Sequence, residues 1–72
     1  MRPLITLTTD FGINDPFVGI MKGVILNIEP QAHIVDITHN IDPQNILQAA
    51  RVLNATYPWY PRKTIHIVVV DP

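Results

Sequence analysis

The residues of this 72-residue chain that could do chemistry gather directly behind its apolar runs. Thr8, Thr9 and Asp10 follow Leu4, Ile5 and Leu7; Thr38, His39 and Asn40 follow Ile34, Val35 and Ile37; Asp71 follows Val68, Val69 and Val70. Each run has the β-branched content of a strand, so each polar group stands where a strand ends and the backbone must turn. That is where α/β folds present ligand-binding groups. A carboxylate such as Asp10 in that place can accept two hydrogen bonds from a ribose diol. No G-x-G-x-x-G and no Walker loop occurs, so nothing cradles a pyrophosphate in the usual way, and a nucleoside without phosphate stays open as a ligand.

Each group also has a simpler use. Asp15 before Pro16 and Asp42 before Pro43 read as helix caps, about 1 kcal/mol each, and Asp15 could serve both roles. Asp10 could hold its own loop as an Asx-turn, and Asp71 could cap a helix that follows. His33 and His66 fall within strands and read as structural, whereas His39 lies at the polar edge. A metal-dependent hydrolase site built from Asp10, His39 and Asp71 is an alternative, since oxygen and imidazole ligands suit several divalent ions. No pair among them has a short metal-binding spacing. Trp59 and Tyr60, between Pro58 and Pro61, read as a packed turn before a base-stacking platform.

The elements that position these groups follow from periodicity. A strand over residues 4–9 leads into Asp10-Phe11-Gly12, where Gly12 can supply a positive φ. Phe17, Ile20, Met21, Val24, Ile25 and Ile28 recur at helical spacing until Pro30. Gly19 and Gly23 would cost about 1 kcal/mol each inside that helix, which predicts close packing against a neighbouring backbone. A second strand over 32–37 is followed by Asp42-Pro43 and a helical stripe of Ile46, Ala50, Leu53 and Tyr57 that Pro58 ends. A third strand covers 64–70, and its valine run predicts burial on both faces. The fold expected is α/β: a Rossmann-like β-α-β-α-β parallel-sheet unit with right-handed crossovers and all three polar exits at one edge. Two crossovers in one direction would leave one sheet face bare. The expectation is therefore the front of a larger amino-terminal domain, or a partner chain over that face.

Composition narrows the function classes. The chain is 47% hydrophobic and 15% charged, globular rather than disordered. A formal net charge of -1, with five scattered Lys and Arg, gives no footprint for nucleic acid or an anionic membrane. Absence of cysteine rules out disulfide scaffolds and thiolate zinc sites and suits a cytoplasmic protein. No apolar run approaches a membrane span and the amino terminus lacks signal-peptide features.

The run TTDFGINDPFVGIMKGVI, then VDITHNIDPQNILQAARVL, then IHIVVVDP, resembles the amino-terminal part of the S-adenosyl-L-methionine (SAM) hydrolases, or SAM hydroxide adenosyltransferases, relatives of fluorinase and chlorinase. The resemblance spans essentially the whole chain, three motifs in order. It implies that residues 1–72 are part of an amino-terminal SAM-binding domain, with a carboxyl-terminal, adenine-gripping domain lying outside this chain. It implies attack of water or hydroxide on ribose C5′ of SAM, releasing methionine and leaving adenosine, with no cofactor, at sites between subunits of a homotrimer. Position by position, Asp10 matches the aspartate that binds the ribose hydroxyls, with Thr9 and Phe11 beside it as substrate contacts, and Asp15 matches one near the methionine amino group. Asp71 matches the hydrolase aspartate that orients or activates water, where the halide-using relatives have tyrosine. Gln44 stands where fluorinase has a tryptophan beside the substrate.

The chemistry fits these residue types. A sulfonium is already a good leaving group, so a protein has mainly to align water, C5′ and sulfur and exclude competing solvent. A lone carboxylate is a weak base at pH 7, and the family pairs this aspartate with a later arginine and histidine. The competing expectation, from another class, is a non-catalytic α/β module that binds a nucleoside or a protein partner.

Overall fold

In a computed structural model, which describes residues 2–71, the chain forms the expected parallel unit. Strand β1 (Leu4–Thr9) is followed by helix α1 (Phe17–Ile28), β2 (His33–Thr38), α2 (Ile46–Thr56), a 3-10 turn over Tyr57–Trp59, and β3 (Ile65–Val69). Both strand pairings are parallel. All three strands therefore end at the same rim.

The strand order is β2-β1-β3, which corrects one expectation. The first crossover moves from β1 to β2, and the second moves back past β1 to β3. Two right-handed crossovers in opposite directions put their helices on opposite faces of the sheet. The packing agrees: Met21 and Ile25 of α1, with Ile34 and Ile67 of the neighbouring strands, lie against the cluster of Ile5, Leu7 and Ala32, whereas Ala49, Ala50 and Leu53 of α2 lie along Val68 and Val70. Each face has one helix.

Cover is nevertheless incomplete. β1 is buried from Ile5 to its end, with Leu7 and Thr9 fully enclosed, because it has a strand on each side and a helix on each face. β3 is an edge strand, and Val68 is 36% exposed, so the expected burial of the valine run on both faces is not found within this chain. On α1, Phe17, Ile20, Val24 and Ile28 are all more than half exposed. A Cβ built at Gly19 or Gly23 meets nothing within 4 Å, so no neighbouring backbone approaches those glycines among the described residues. Trp59 is exposed rather than packed, and Tyr60 meets the His66 ring edge-on. Among the described residues no helix is long and apolar enough to cross a membrane.

The helix starts are also informative. Asp15 Oδ1 accepts the Phe17 N–H at 3.1 Å, but the cap of α1 is Pro16, so Asp15 stands one residue ahead of the position its sequence suggested and forms an Asx-type turn into the helix. Asp42 does not cap α2: the helix begins three residues later than that reading placed it. Asn45 is the cap, its side chain accepting the Gln48 N–H at 2.9 Å. Between them Gln44 adopts φ 65°, in the left-handed region, and that kink lets Asn45 rather than Asp42 reach the first turn.

Candidate active site

The site is built from the ends of β1 and β3 and the first turn of α1. Beyond β1, Gly12 takes φ 73°, the conformation its lack of a Cβ permits, and the chain turns back toward α1. The turn places Asp10, Phe11, Asp15 and Asp71 around an open cleft of about 500 Å³ whose apolar wall is Phe17, Ile20 and Met21. Phe11 and Phe17 meet as a tilted aromatic pair with ring centroids 6.1 Å apart.

Asp10 and Asp71 share one rim. The Asp10 N–H donates to the Val69 carbonyl at 3.2 Å, continuing the β1–β3 ladder by one residue. The Asp71 N–H in turn donates to Asp10 Oδ2 at 3.0 Å. One carboxylate oxygen of Asp10 is thus tied to the β3 exit, and Oδ1 makes no hydrogen bond within the protein among the described residues. Three carboxylates and no basic side chain line the cleft. Such a surface favours a cationic ligand.

Two expected contacts lie elsewhere. Thr9 is fully buried, and its hydroxyl is engaged by His39 Nδ1 at 2.7 Å and by the Phe11 N–H at 3.2 Å, so it holds the loop instead of facing the cleft. Gln44 is exposed on the β2–α2 connection and does not line the cleft. His39 is not a metal ligand with Asp10 and Asp71, because both ring nitrogens are already committed, Nδ1 to Thr9 and Nε2 to Asp36 Oδ1 at 2.8 Å. No cluster of three metal-ligating side chains exists among the described residues.

Sequence reading missed Asp36. It lies in β2 opposite Leu7, beside a register shift in which Leu7 pairs with Asp36 and Thr8 with Thr38. Lys22 Nζ reaches Asp36 Oδ2 at 2.7 Å. Burial alone would raise the Asp36 carboxyl, but hydrogen bonds from Lys22 and His39 and the positive charge of Lys22 outweigh it and hold it below its ordinary value. A carboxylate inside an otherwise apolar strand, three residues before a histidine, was the available signal.

The family model of the SAM hydroxide adenosyltransferase N-terminal domain matches residues 5–72. The chain belongs to that family. It is 49% identical over 73 residues to an (R)-S-adenosyl-L-methionine hydrolase of Methanocaldococcus jannaschii, covering 96% of this chain and 27% of the relative. It is 32% identical over 71 residues to a fluorinase of Nocardia brasiliensis, covering 99% of this chain and 24% of that protein. The crystal structure of an uncharacterized conserved protein from Thermotoga maritima superposes with a TM-score of 0.90 at 42% identity, over 93% of this chain and 26% of that one. This member of the SAM hydroxide adenosyltransferase family therefore spans about a quarter of the length of the relatives it matches.

Proposed function

We propose that this chain forms the ribose-facing and methionine-facing wall of an enzyme that hydrolyses SAM to adenosine and L-methionine. The observation that carries the proposal is the shared rim: Asp71 donates its N–H to Asp10 Oδ2 at the mouth of a cleft lined by three carboxylates. SAM brings a sulfonium and an ammonium, both cationic, and a vicinal ribose diol. Asp10, through Oδ1 and the remaining lone pair of Oδ2, accepts hydrogen bonds from the diol. Asp15, exposed at the cleft edge, attracts the ammonium. Phe11 gives the ribose an apolar wall.

In the reaction the water oxygen forms a bond to C5′ as the C5′–sulfur bond breaks, and the bonding pair leaves with sulfur as a neutral thioether. The water's proton passes to the Asp71 carboxylate and from there to solvent. The Asp71 carboxylate, on the residue whose own N–H is tied to Asp10, orients that water, and in-line alignment supplies most of the acceleration because the leaving group is already activated. The relatives named hydrolase and fluorinase support a SAM-using activity, and aspartate at position 71 supports water over halide as the nucleophile.

The full-length protein incubated with SAM and analysed for products tests the reading. Adenosine and methionine in equal amounts support it; intact SAM, with no binding of SAM or adenosine by calorimetry, ends it.

A further inference from the structure

Behind the cleft, four side chains from three elements form one continuous line. Lys22 Nζ on α1 contacts Asp36 Oδ2 at 2.7 Å, Asp36 Oδ1 meets His39 Nε2 at 2.8 Å, and His39 Nδ1 meets Thr9 Oγ1 at 2.7 Å. The line ends at the Phe11 N–H, which donates to Thr9 Oγ1 at 3.2 Å. Thr9 is fully enclosed and His39 is 7% exposed, so water does not substitute for these partners.

The donors and acceptors fix where the protons sit. An ionised carboxylate only accepts, so His39 Nε2 carries a hydrogen toward Asp36. The Phe11 N–H occupies a lone pair of Thr9 Oγ1, and the hydroxyl hydrogen has His39 Nδ1 as its acceptor. Every member is satisfied by the Nε2–H tautomer of the neutral ring. A hydrogen on Nδ1 would make the Thr9 oxygen accept twice and leave its own hydrogen without a partner in a closed site. The same histidine ties the two exits through its backbone: the Gly12 N–H donates to the His39 carbonyl at 2.7 Å, and the Ile41 N–H to the Thr9 carbonyl at 3.2 Å. Asp10 lies between Thr9 and Phe11, the two residues held by this line.

We propose that His39, kept in its Nε2–H tautomer by Asp36, is a positioning residue that sets the Asp10 carboxylate through the Thr9 hydroxyl. The inference rests on the reading that Asp10 grips the ribose diol. Second-sphere hydrogen bonds that orient metal ligands govern affinity or activity by roughly tenfold to a hundredfold, and the same scale is expected for orienting a carboxylate that grips a diol. Thr9 and His39 touch no substrate in this scheme; they act through Asp10.

The test uses the full-length protein and has two ligand-free readouts. Long-range proton–nitrogen NMR of His39 is expected to report the Nε2–H tautomer, and the Nδ1–H tautomer overturns the proposal. The Asp71 amide resonance reports the Asp10 carboxylate directly, since that N–H donates to Oδ2. In Thr9→Val, near-isosteric but without the hydroxyl, this resonance is expected to move, and the KM for SAM and Kd for adenosine to rise roughly tenfold or more. Thr9→Ser, which keeps the hydroxyl, is expected to restore all three toward wild type. An unmoved Asp71 amide, or wild-type KM and Kd, in a folded Thr9→Val protein overturns the positioning role. Should the wild type itself fail to cleave SAM and bind adenosine, the functional reading falls on that result alone, and the tautomer and amide measurements still decide the structural link.

Discussion

The main-chain N–H of Asp71 donates to the side chain of Asp10 at 3.0 Å, across 61 residues of sequence. The bond is asymmetric in a useful way. It uses the carboxylate of Asp10 but only the backbone of Asp71, so substitution at the two positions has different structural consequences.

Asp10→Ala removes the acceptor for the ribose diol and also frees the β3 exit. Hydrogen bonds to a charged group contribute about 1.5–3 kcal/mol each. Adenosine binding to the full-length protein is therefore expected to weaken by at least tenfold, with kcat for SAM falling as well. Calorimetry and steady-state kinetics on the same sample check both halves.

Asp71→Asn keeps the backbone donor to Asp10 and changes only the exposed side chain. Turnover should drop by about a hundredfold, the usual scale for losing a group that handles a reacting proton, while adenosine affinity stays within about threefold. A matched loss of binding would mean that the Asp71 side chain holds the nucleoside.

The acidic site has a stabilising counterpart at Asp36. Its carboxyl is held below the ordinary value of 3.8. A depressed carboxyl contributes stability that is fully present above its unfolded value and is lost as pH falls through the folded one. Asp36→Asn should thus cost stability at neutral pH, and the gap from wild type should close on acidification below 3.8. With the side chain 42% exposed, solvent screening keeps the gap to about 1 kcal/mol. Denaturant midpoints across a pH series measure it.

The two candidate caps of α2 separate cleanly. Asn45→Ala is expected to cost about 1 kcal/mol, because its side chain accepts the Gln48 N–H, whereas Asp42→Ala should cost a few tenths. At Asp42 it is the backbone that bonds, its N–H to Gln48 Oε1 and its carbonyl to Asn45. The core gives the largest effect: Leu7→Ala, in the central strand with no exposed surface, should cost about 3 kcal/mol in thermal or chemical unfolding.

The strands, the helices and the meeting of Asp10 with Asp71 were legible because periodicity and parallel topology dictate them. Strand order was not. Periodicity says that a run is a strand and nothing about which side of β1 the third one joins, and that choice moved α2 to the opposite face. The Asp42-Pro43 dipeptide was misleading because a cap is defined by where φ turns helical, and the left-handed Gln44 delays that to Asn45. Thr9 was placed in the cleft by adjacency to Asp10, yet neighbouring strand residues point to opposite faces, so one of the two had to turn inward. Its partner His39 stood out as a polar-edge residue, but its link to Asp36, beside the register shift at β2, is not displayed by the sequence.

The most direct measurement is product analysis after single turnover of SAM by the full-length protein in water enriched in the heavy oxygen isotope. The account predicts adenosine carrying the solvent isotope at its 5′ hydroxyl, together with an equal amount of unlabelled methionine. Adenosine without the label, or cleavage at any bond other than C5′–sulfur, would contradict it.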